Sequence, residues 1–302
     1  MTMRNTSSSV LTRFDTGFDA PDADVISAVA TDGICILENA LSPKETAALK
    51  DEIYGLAERP PAWLKNHGGR DGFTFSFSPV VAARHGGNKR MAELTKAFDD
   101  PLLETVSRAL LGPMWYFDRI ILELKPPSAE PITDWHADQF PNRGRCIKCM
   151  IYLGDTDADG GAFSYVPGSH RLMRSILDNH VGDHRGLRYI ETIRSMASDL
   201  IASKRELADE LSGLLSDMEL HIESALQSDD HYSVAARAGS AIFFDAMGIH
   251  RGGVPRRRER LIARSHGRNF QFSTLFNSRS DVTLMAQRLY LRATQGAGAS
   301  LV

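Results

Sequence analysis

The chain contains 302 residues, of which 42% are hydrophobic and 24% charged, and its formal net charge is −3. This near-neutral balance gives no electrostatic reason to expect nucleic acid or an anionic membrane as a partner, and no apolar run reaches the ~18 residues that span a bilayer. The start of the chain lacks the apolar region of a signal peptide, and the cysteine count of three is odd and low. These features predict a cytoplasmic protein with reduced thiols.

The N-terminal third alternates short helices and strands. Residues 1–16 are polar and predict a disordered tail, whereas Ile34–Leu37 is a compact apolar strand. Ser42 and Glu45 have the spacing of a capping box, with a proline at the first helical position between them, so a helix begins there. The alternation of Phe73–Phe77 predicts a second strand. Further helices are predicted over Asp24–Ala30, Asn88–Phe98 and Pro101–Leu111.

From residue 115 onwards short apolar strands alternate with turns rich in Gly, Asp and Pro, which is typical of a β-sandwich or barrel. We predict a mainly β single domain over residues 17–302 with its barrel core at about 115–270. The apolar stripe at 207–222 indicates a helical insertion over about 172–230, which packs on the core or forms a lid or a dimer face. A last helix is predicted over about 281–292.

The pair His136 and Asp138 follows a strand-like run. Residues two apart on a strand share a face, so the imidazole and the carboxylate supply two ligands of a facial metal site. The best candidate for the third ligand is His250. Two histidines and one carboxylate leave open positions on a non-haem Fe(II) ion, as in oxygenases. The spacing alone also fits a surface pair.

Two other patterns are weaker. Cys146 and Cys149 have redox or zinc spacing, but no second pair exists, and residues three apart on a strand face opposite sides. Asp155–Gly160 copies the first half of an EF-hand loop, yet Val166 stands where the bidentate glutamate belongs. We interpret this segment as a turn. No Walker, dinucleotide or nucleophile-elbow motif is present.

Together these segments resemble the phytanoyl-CoA dioxygenase family of Fe(II)/2-oxoglutarate-dependent oxygenases. The block from Gly160–Gly161 to Pro167–His170, placed between the two histidine motifs, is the most specific part. The segments that carry the resemblance are Ile34–Leu37, Ile121–Pro127, Trp135–Asp138, Asp159–Arg171, Gly239–Asp245 and Ile249–Gly253.

The resemblance implies a double-stranded β-helix (jelly roll, cupin-like) barrel with flanking helices. It also implies that His136, Asp138 and His250 bind Fe(II), which activates O2 together with the cosubstrate 2-oxoglutarate. An arginine about ten residues after the second histidine holds the distal carboxylate of 2-oxoglutarate in this family, which points to Arg260 ahead of Arg264. Lys125 matches a family lysine that contacts the same cosubstrate.

Two positions refine the resemblance. Some relatives carry a hydroxyl residue two positions after the second histidine, where this chain has Gly252. Related halogenases replace the carboxylate of the His-x-Asp pair, so Asp138 favours oxygen chemistry over halogenation.

The predicted activity is hydroxylation, or another oxidation, of a C–H bond in a small metabolite, with release of succinate and CO2. Two alternatives are a cupin-like module that binds a metal or small molecule without turnover and a structural protein acting through the insertion. The expected partner is a small-molecule substrate, with no nucleic acid and no membrane, and a homodimer stays open. Candidate substrate contacts are Trp135, Gln139, Phe140 and Arg251.

Overall fold

The computed structural model describes residues 11–67, 72–128, 132–133, 135–138, 145–179 and 232–269. The helices are α1 (Asp22–Asp32), α2 (Pro43–Glu58), α3 (Pro79–Arg84), α4 (Gly87–Arg90), α5 (Ala92–Phe98), α6 (Pro101–Leu111) and α7 (Ser169–Asn179). The strands are β1 (Arg13–Phe14), β2 (Ile34–Leu37), β3 (Phe73–Phe77), β4 (Trp115–Lys125), β5 (Cys146–Tyr152), β6 (Phe163–Tyr165), β7 (Ala241–Asp245), β8 (His250–Gly252) and β9 (Arg260–Asn269).

The predicted capping box forms at the start of α2. The Ser42 hydroxyl accepts a hydrogen bond from the Glu45 backbone N–H at 3.3 Å, and the Glu45 carboxylate accepts one from the Ser42 N–H at 3.0 Å. These bonds satisfy donors that the first turn leaves without a partner. The predicted helix Asn88–Phe98 is instead two helices, α4 and α5, because Met91 leaves helical geometry (φ −128°, ψ 47°) and buries its side chain.

Part of the predicted tail belongs to the fold. Arg13 and Phe14 form β1, which pairs in parallel with β2, and Arg13 forms a 2.7 Å ion pair with Glu38. The prediction of disorder is therefore wrong for this part of 1–16. Residues 1–10, most of the 172–230 insertion and the predicted helix at 281–292 lie outside the described residues.

Two sheets face each other. The larger has the strand order β1-β2-β7-β5-β9-β4-β3, and the smaller pairs β6 with β8. Isolated bridges from His136 to His250 and from Ser164 to Ser233 add a segment to each side of the smaller sheet. Residues 233–236 contribute isolated bridges of this kind, at Ser233 and Ala236. The jelly-roll prediction is confirmed, because helices lie on the outside of two opposed sheets.

The larger sheet has two different faces. Its outer face packs against the helices through an apolar cluster that includes Leu122, Cys149 and Ala263. Its inner face carries Met150 and Ile262, which pack towards the smaller sheet. Paired residues on antiparallel strands share a face, so the register assigns the charged residues of β4, β5 and β9 to the interior. No helix among the described residues is long and apolar enough to cross a membrane.

His170 is a buried residue with a structural role. Its side chain is fully buried at the start of α7, and its Nε2 lies 3.1 Å from the Ala30 carbonyl oxygen. The ring also packs on Gly33, where an added Cβ would lie 2.5 Å from Nδ1. Burial lowers the pKa of His170 to about 4 from its ordinary 6.5. The imidazole is therefore neutral at neutral pH.

This depressed pKa predicts an acid-sensitive fold. Because the unfolded chain takes up a proton near pH 6.5 and the folded one only near pH 4, the contribution of His170 is fully present above pH 6.5 and is lost as the pH falls towards 4. We expect a loss of up to about 3 kcal/mol in unfolding free energy. Denaturant unfolding from pH 7.5 to 4 should show a shallower pH dependence in His170→Gln, and parallel curves would contradict this assignment.

Candidate metal centre

His136, Asp138 and His250 meet in the interior between the two sheets. One ligand atom from each lies within 4.8 Å of the others. Asp138 Oδ1 is 3.8 Å from His136 Nε2, and Asp138 Oδ2 is 3.4 Å from His250 Nε2. The two histidines are brought together by an antiparallel bridge in which each backbone N–H donates to the other's carbonyl, at 2.9 and 2.8 Å. Residues 114 positions apart thus become neighbours.

A turn at Asp245–Gly248 orients two of these ligands. The Ala246 carbonyl accepts a 3.0 Å hydrogen bond from the Asp138 N–H. The Gly248 carbonyl lies 2.7 Å from His250 Nδ1. Since a carbonyl only accepts, this contact assigns the proton to Nδ1 and leaves the Nε2 lone pair of His250 for a metal.

The buried carboxylate of Asp245 stabilises the same turn. Asp245 is fully buried and accepts a 2.9 Å hydrogen bond from Arg145 Nε and another from Arg174. Its second oxygen accepts from the Met247 N–H at 3.1 Å. Asp245 therefore ties α7 and the start of β5 to the turn that orients the ligands.

Asp138 is held in its ionised form. Burial raises the pKa of this carboxyl, but the nearby Lys148 ammonium and His250 outweigh that effect and hold the pKa well below its usual range. The Lys148 Nζ contacts the Asp138 carboxylate directly. Burial lowers the pKa of Lys148, while Asp138 raises it. A carboxylate that stays ionised is the form that a metal ion requires.

The residues fit a divalent transition metal. Two imidazoles and one ionised carboxylate match the facial set used by non-haem Fe(II) proteins. Within the described ranges no other histidine, cysteine or acidic side chain joins the group. An ion held by these three residues would therefore keep open positions for further ligands.

The proposed cosubstrate anchors lie on the inner face of the larger sheet. Lys125 and Arg260 are direct strand partners. Arg260 is buried, its Nη1 lies 3.2 Å from Glu123, and its guanidinium sits over the Tyr152 ring at 5.8 Å. Arg264, the alternative anchor, lies four residues further along the same face of β9, with Ile262 between the two arginines.

The arginines at positions 256–258, in the loop before β9, are on the surface. Arg257 and Arg258 pair with the acidic turn, Arg257 with Asp159 at 3.1 Å and Arg258 with Asp157 at 2.6 Å. Asp155 accepts a 2.9 Å hydrogen bond from the Ala238 N–H. The EF-hand-like segment is thus a turn held by ion pairs, as predicted.

Trp135 and Arg251 contact each other and do not face the ligands. The Arg251 guanidinium lies 4.8 Å from the centre of the Trp135 ring. Trp135 precedes His136 by one residue, and Arg251 follows His250 by one residue. Because side chains alternate along an extended segment, both point to the side of the bridge opposite the ligands. The substrate contacts predicted at Trp135 and Arg251 stay predictions. Gln139 and Phe140 lie outside the described residues.

The presence of glycine at position 252 has a steric reason. A Cβ at this position would lie 2.8 Å from the Ile132 Cβ, so a larger residue does not fit without movement. The Gly252 N–H donates to the Thr133 hydroxyl at 2.7 Å.

Sequence reasoning missed Lys148. Its sequence signal is that it is the one charged residue inside the apolar run Cys146–Leu153. Cys146 and Cys149 are buried free thiols, and burial raises the pKa of Cys146 to about 11. Neither belongs to the metal-ligand group.

Comparison with known proteins gives concordant results. The chain is 25% identical to the ectoine dioxygenase of Bordetella bronchiseptica over 240 residues, covering 77% of this chain and 70% of the relative. Among solved structures it is similar to EctD from S. alaskensis in its apoform, with a TM-score of 0.54, 19% identity and coverage of 86% and 81% of the two chains.

A second solved structure with the same fold is the epimerase SnoN in complex with Fe3+, alpha ketoglutarate and nogalamycin RO. Its TM-score is 0.53 at 16% identity, and the match covers 82% of this chain and 83% of that chain. At such low identity these structural matches speak for the fold alone.

A sequence model of one protein family matches most of the chain. The model named Phytanoyl-CoA dioxygenase (PhyH) matches residues 29–256, a range that includes all three candidate metal ligands and most of the barrel. The chain therefore belongs to the phytanoyl-CoA dioxygenase family, which confirms the predicted Fe(II)/2-oxoglutarate-dependent oxygenase.

Proposed function

We propose that this oxygenase oxidises a C–H bond of a small metabolite, most simply by hydroxylation, with 2-oxoglutarate converted to succinate and CO2. The observation that carries the proposal is the convergence of His136, Asp138 and His250 within 4.8 Å in the barrel interior. The predicted alternative, a cupin-like binding module without turnover, gains no support from the family match.

His136, Asp138 and His250 would hold Fe(II), and the bound metal with 2-oxoglutarate would supply the activation of O2. The Gly248 carbonyl keeps His250 in the tautomer that presents Nε2. Lys148 keeps the Asp138 carboxylate ionised. The His136 and Asp138 side chains are 22% and 26% exposed, so a bound substrate would complete the exclusion of water that protects a reactive oxidant from side reactions.

Arg260 is our proposed anchor for the distal carboxylate of 2-oxoglutarate, with Lys125 beside it. A guanidinium binds a carboxylate through two parallel hydrogen bonds. Two observations support the assignment: Arg260 is buried on the inner face, and its Nε has no hydrogen-bond partner among the described residues. Glu123, which pairs with Nη1, orients the guanidinium.

A screen for coupled turnover tests the activity. Purified protein, Fe(II), 2-oxoglutarate and O2 are incubated with single metabolites, ectoine among them, and succinate and oxidised product are quantified. We expect one compound class to raise succinate well above the background without substrate, in a 1:1 ratio with product. His136→Ala is the control. If no compound raises succinate and the wild-type protein matches His136→Ala, the binding module is the better description.

A further inference from the structure

The inner face of the larger sheet contains more cations than the cosubstrate needs. Arg260 is paired with Glu123 at 3.2 Å, and Arg268 with Asp118 at 2.9 Å. Arg264 differs from both, because it is only partly buried and has no ion pair with a described residue, and its buried Nε has no hydrogen-bond partner there. A cation on the interior face that lacks an ion-pair partner among the described residues is available to an anionic ligand.

Arg264 lies next to the metal centre. Its strand partner on β5 is Met150, and Lys148, two residues earlier on the same strand, shares that face. The two cations are therefore diagonal neighbours, within reach of one ligand group. Lys148 also contacts the candidate metal ligand Asp138. Burial lowers the pKa of Arg264, while the negative charges of Glu123 and Asp138 raise it.

The positive charges near the candidate metal site outnumber the negative ones. Among the described residues of this region, Asp138 is the carboxylate that offsets Lys148, and a divalent metal would draw on that same carboxylate. His266, the strand partner of Lys148, is kept neutral because burial lowers its pKa well below the usual range. The two charges of 2-oxoglutarate offset those of the metal. At least one cation then still lacks a counter-charge in a site where buried charges need partners.

We propose that Arg264 and Lys148 form a recognition site for an anionic group of the substrate, and that the substrate class is a small metabolite carrying a carboxylate, sulfonate or phosphate. This inference rests on the proposed function, since it takes the metal and 2-oxoglutarate to occupy the centre. It makes Arg264 a specificity-determining residue, distinct from the anchor Arg260. The same anion chemistry is present in 2-oxoglutarate itself, so the test must separate the two sources.

The test uses inorganic sulfate as the probe. Sulfate is titrated anaerobically into the full-length protein loaded with Fe(II) and saturated with 2-oxoglutarate, at ionic strength held constant with chloride, and binding is followed by calorimetry. We expect saturable binding that is at least about tenfold weaker in Arg264→Gln and in Lys148→Met, the loss of one charge-assisted contact. Arg264→Lys retains the charge and should retain most of the binding. Arg257→Gln, 81% exposed on its side chain, should bind as the wild type does.

Three results would overturn the inference. Sulfate binding that vanishes when 2-oxoglutarate saturates, together with weaker 2-oxoglutarate binding in Arg264→Gln, would assign both cations to the cosubstrate. An absence of sulfate binding in the wild type, or equal binding in all variants, would also contradict it. Failure of the proposed function has a different signature, because Fe(II) would then bind equally to wild type and His136→Ala. Arg264→Lys keeps the test decisive if Arg264→Gln does not fold.

In a second arm, matched pairs of carboxylic acids and their neutral amides are compared as stimulants of O2 uptake. We expect the acid of an active pair to be preferred, and the preference to be lost in Arg264→Gln. Equal stimulation by acid and amide in the wild type would contradict an anionic substrate while leaving the oxygenase activity intact.

Discussion

Asp138→Ala is expected to abolish turnover and to weaken Fe(II) binding by more than about 100-fold, beyond the effect of changing a residue that only orients a ligand. The carboxylate is the single charged ligand of the group, and it lies 3.4 to 3.8 Å from both histidine Nε2 atoms. Without it two neutral imidazoles remain, which hold a hard divalent ion less well. Equilibrium metal titration against a chelator of known affinity measures the change.

The same substitution has a separate effect on stability. It leaves the Lys148 ammonium, whose side chain is 3% exposed, without its partner. Breaking a buried pair from one side costs about 3–5 kcal/mol; because Asp138 is 26% exposed, water will reduce this to about 1–3 kcal/mol. The double variant Asp138→Ala/Lys148→Met should recover stability but not metal binding. Recovery of both, or of neither, would show that the two roles of Asp138 were wrongly assigned.

Arg260→Ala is the second variant with a large expected effect. Removing a buried guanidinium that grips a carboxylate costs about 2–5 kcal/mol, so the Kd for 2-oxoglutarate in the metal-loaded protein should rise at least about 30-fold. Fe(II) binding should stay within about threefold, because Arg260 is not a ligand. Competition calorimetry with 2-oxoglutarate measures the first quantity and chelator titration the second.

Two controls accompany Arg260→Ala. Arg257→Ala changes an exposed arginine of the same segment and should leave the 2-oxoglutarate Kd unchanged. Glu123→Gln removes the charge that pairs with Arg260 but keeps an oxygen acceptor for the guanidinium, and it should weaken cosubstrate binding far less than Arg260→Ala does. An unchanged Kd in Arg260→Ala with a raised Kd in Arg264→Ala would transfer the anchor to Arg264 and remove it from the proposed substrate site.

Local sequence patterns predicted the helices and strands that depend on residues close together in the sequence. The capping box at Ser42, the strand Ile34–Leu37 and the helix Pro101–Leu111 all depend on residues a few positions apart, and the structure has them with their predicted boundaries or within one residue. The helix predicted over Asn88–Phe98 divides at Met91 because a buried side chain, a tertiary effect, overrides local propensity.

The metal centre required a different kind of inference. The His136–Asp138 spacing is visible in the sequence, but its meeting with His250 depends on a bridge between segments more than a hundred residues apart. The family resemblance supplied that link. Lys148 and the pairing of Arg260 with Glu123 could not be predicted, because the register of β4, β5 and β9 decides which charged side chains share the interior.

The faces of the bridge bear on the substrate contacts predicted at Trp135 and Arg251, which stay predictions. Trp135 and Arg251 adjoin the ligands in sequence, and proximity along the chain suggested the pocket. On an extended segment, however, the nearest neighbour of a ligand points away from it, and the two residues form a cation–π pair on the far side.

The most direct measurement is the visible spectrum of the anaerobic protein after addition of Fe(II) and then 2-oxoglutarate. Chelation of the metal by the keto acid in a three-ligand protein site should produce a weak charge-transfer band at one equivalent of each. We predict that the band is present in the wild type and in Cys146→Ala and is lost in His136→Ala. No band in the wild type, or a band of equal strength in His136→Ala, would contradict a specific Fe(II) and 2-oxoglutarate site at His136, Asp138 and His250.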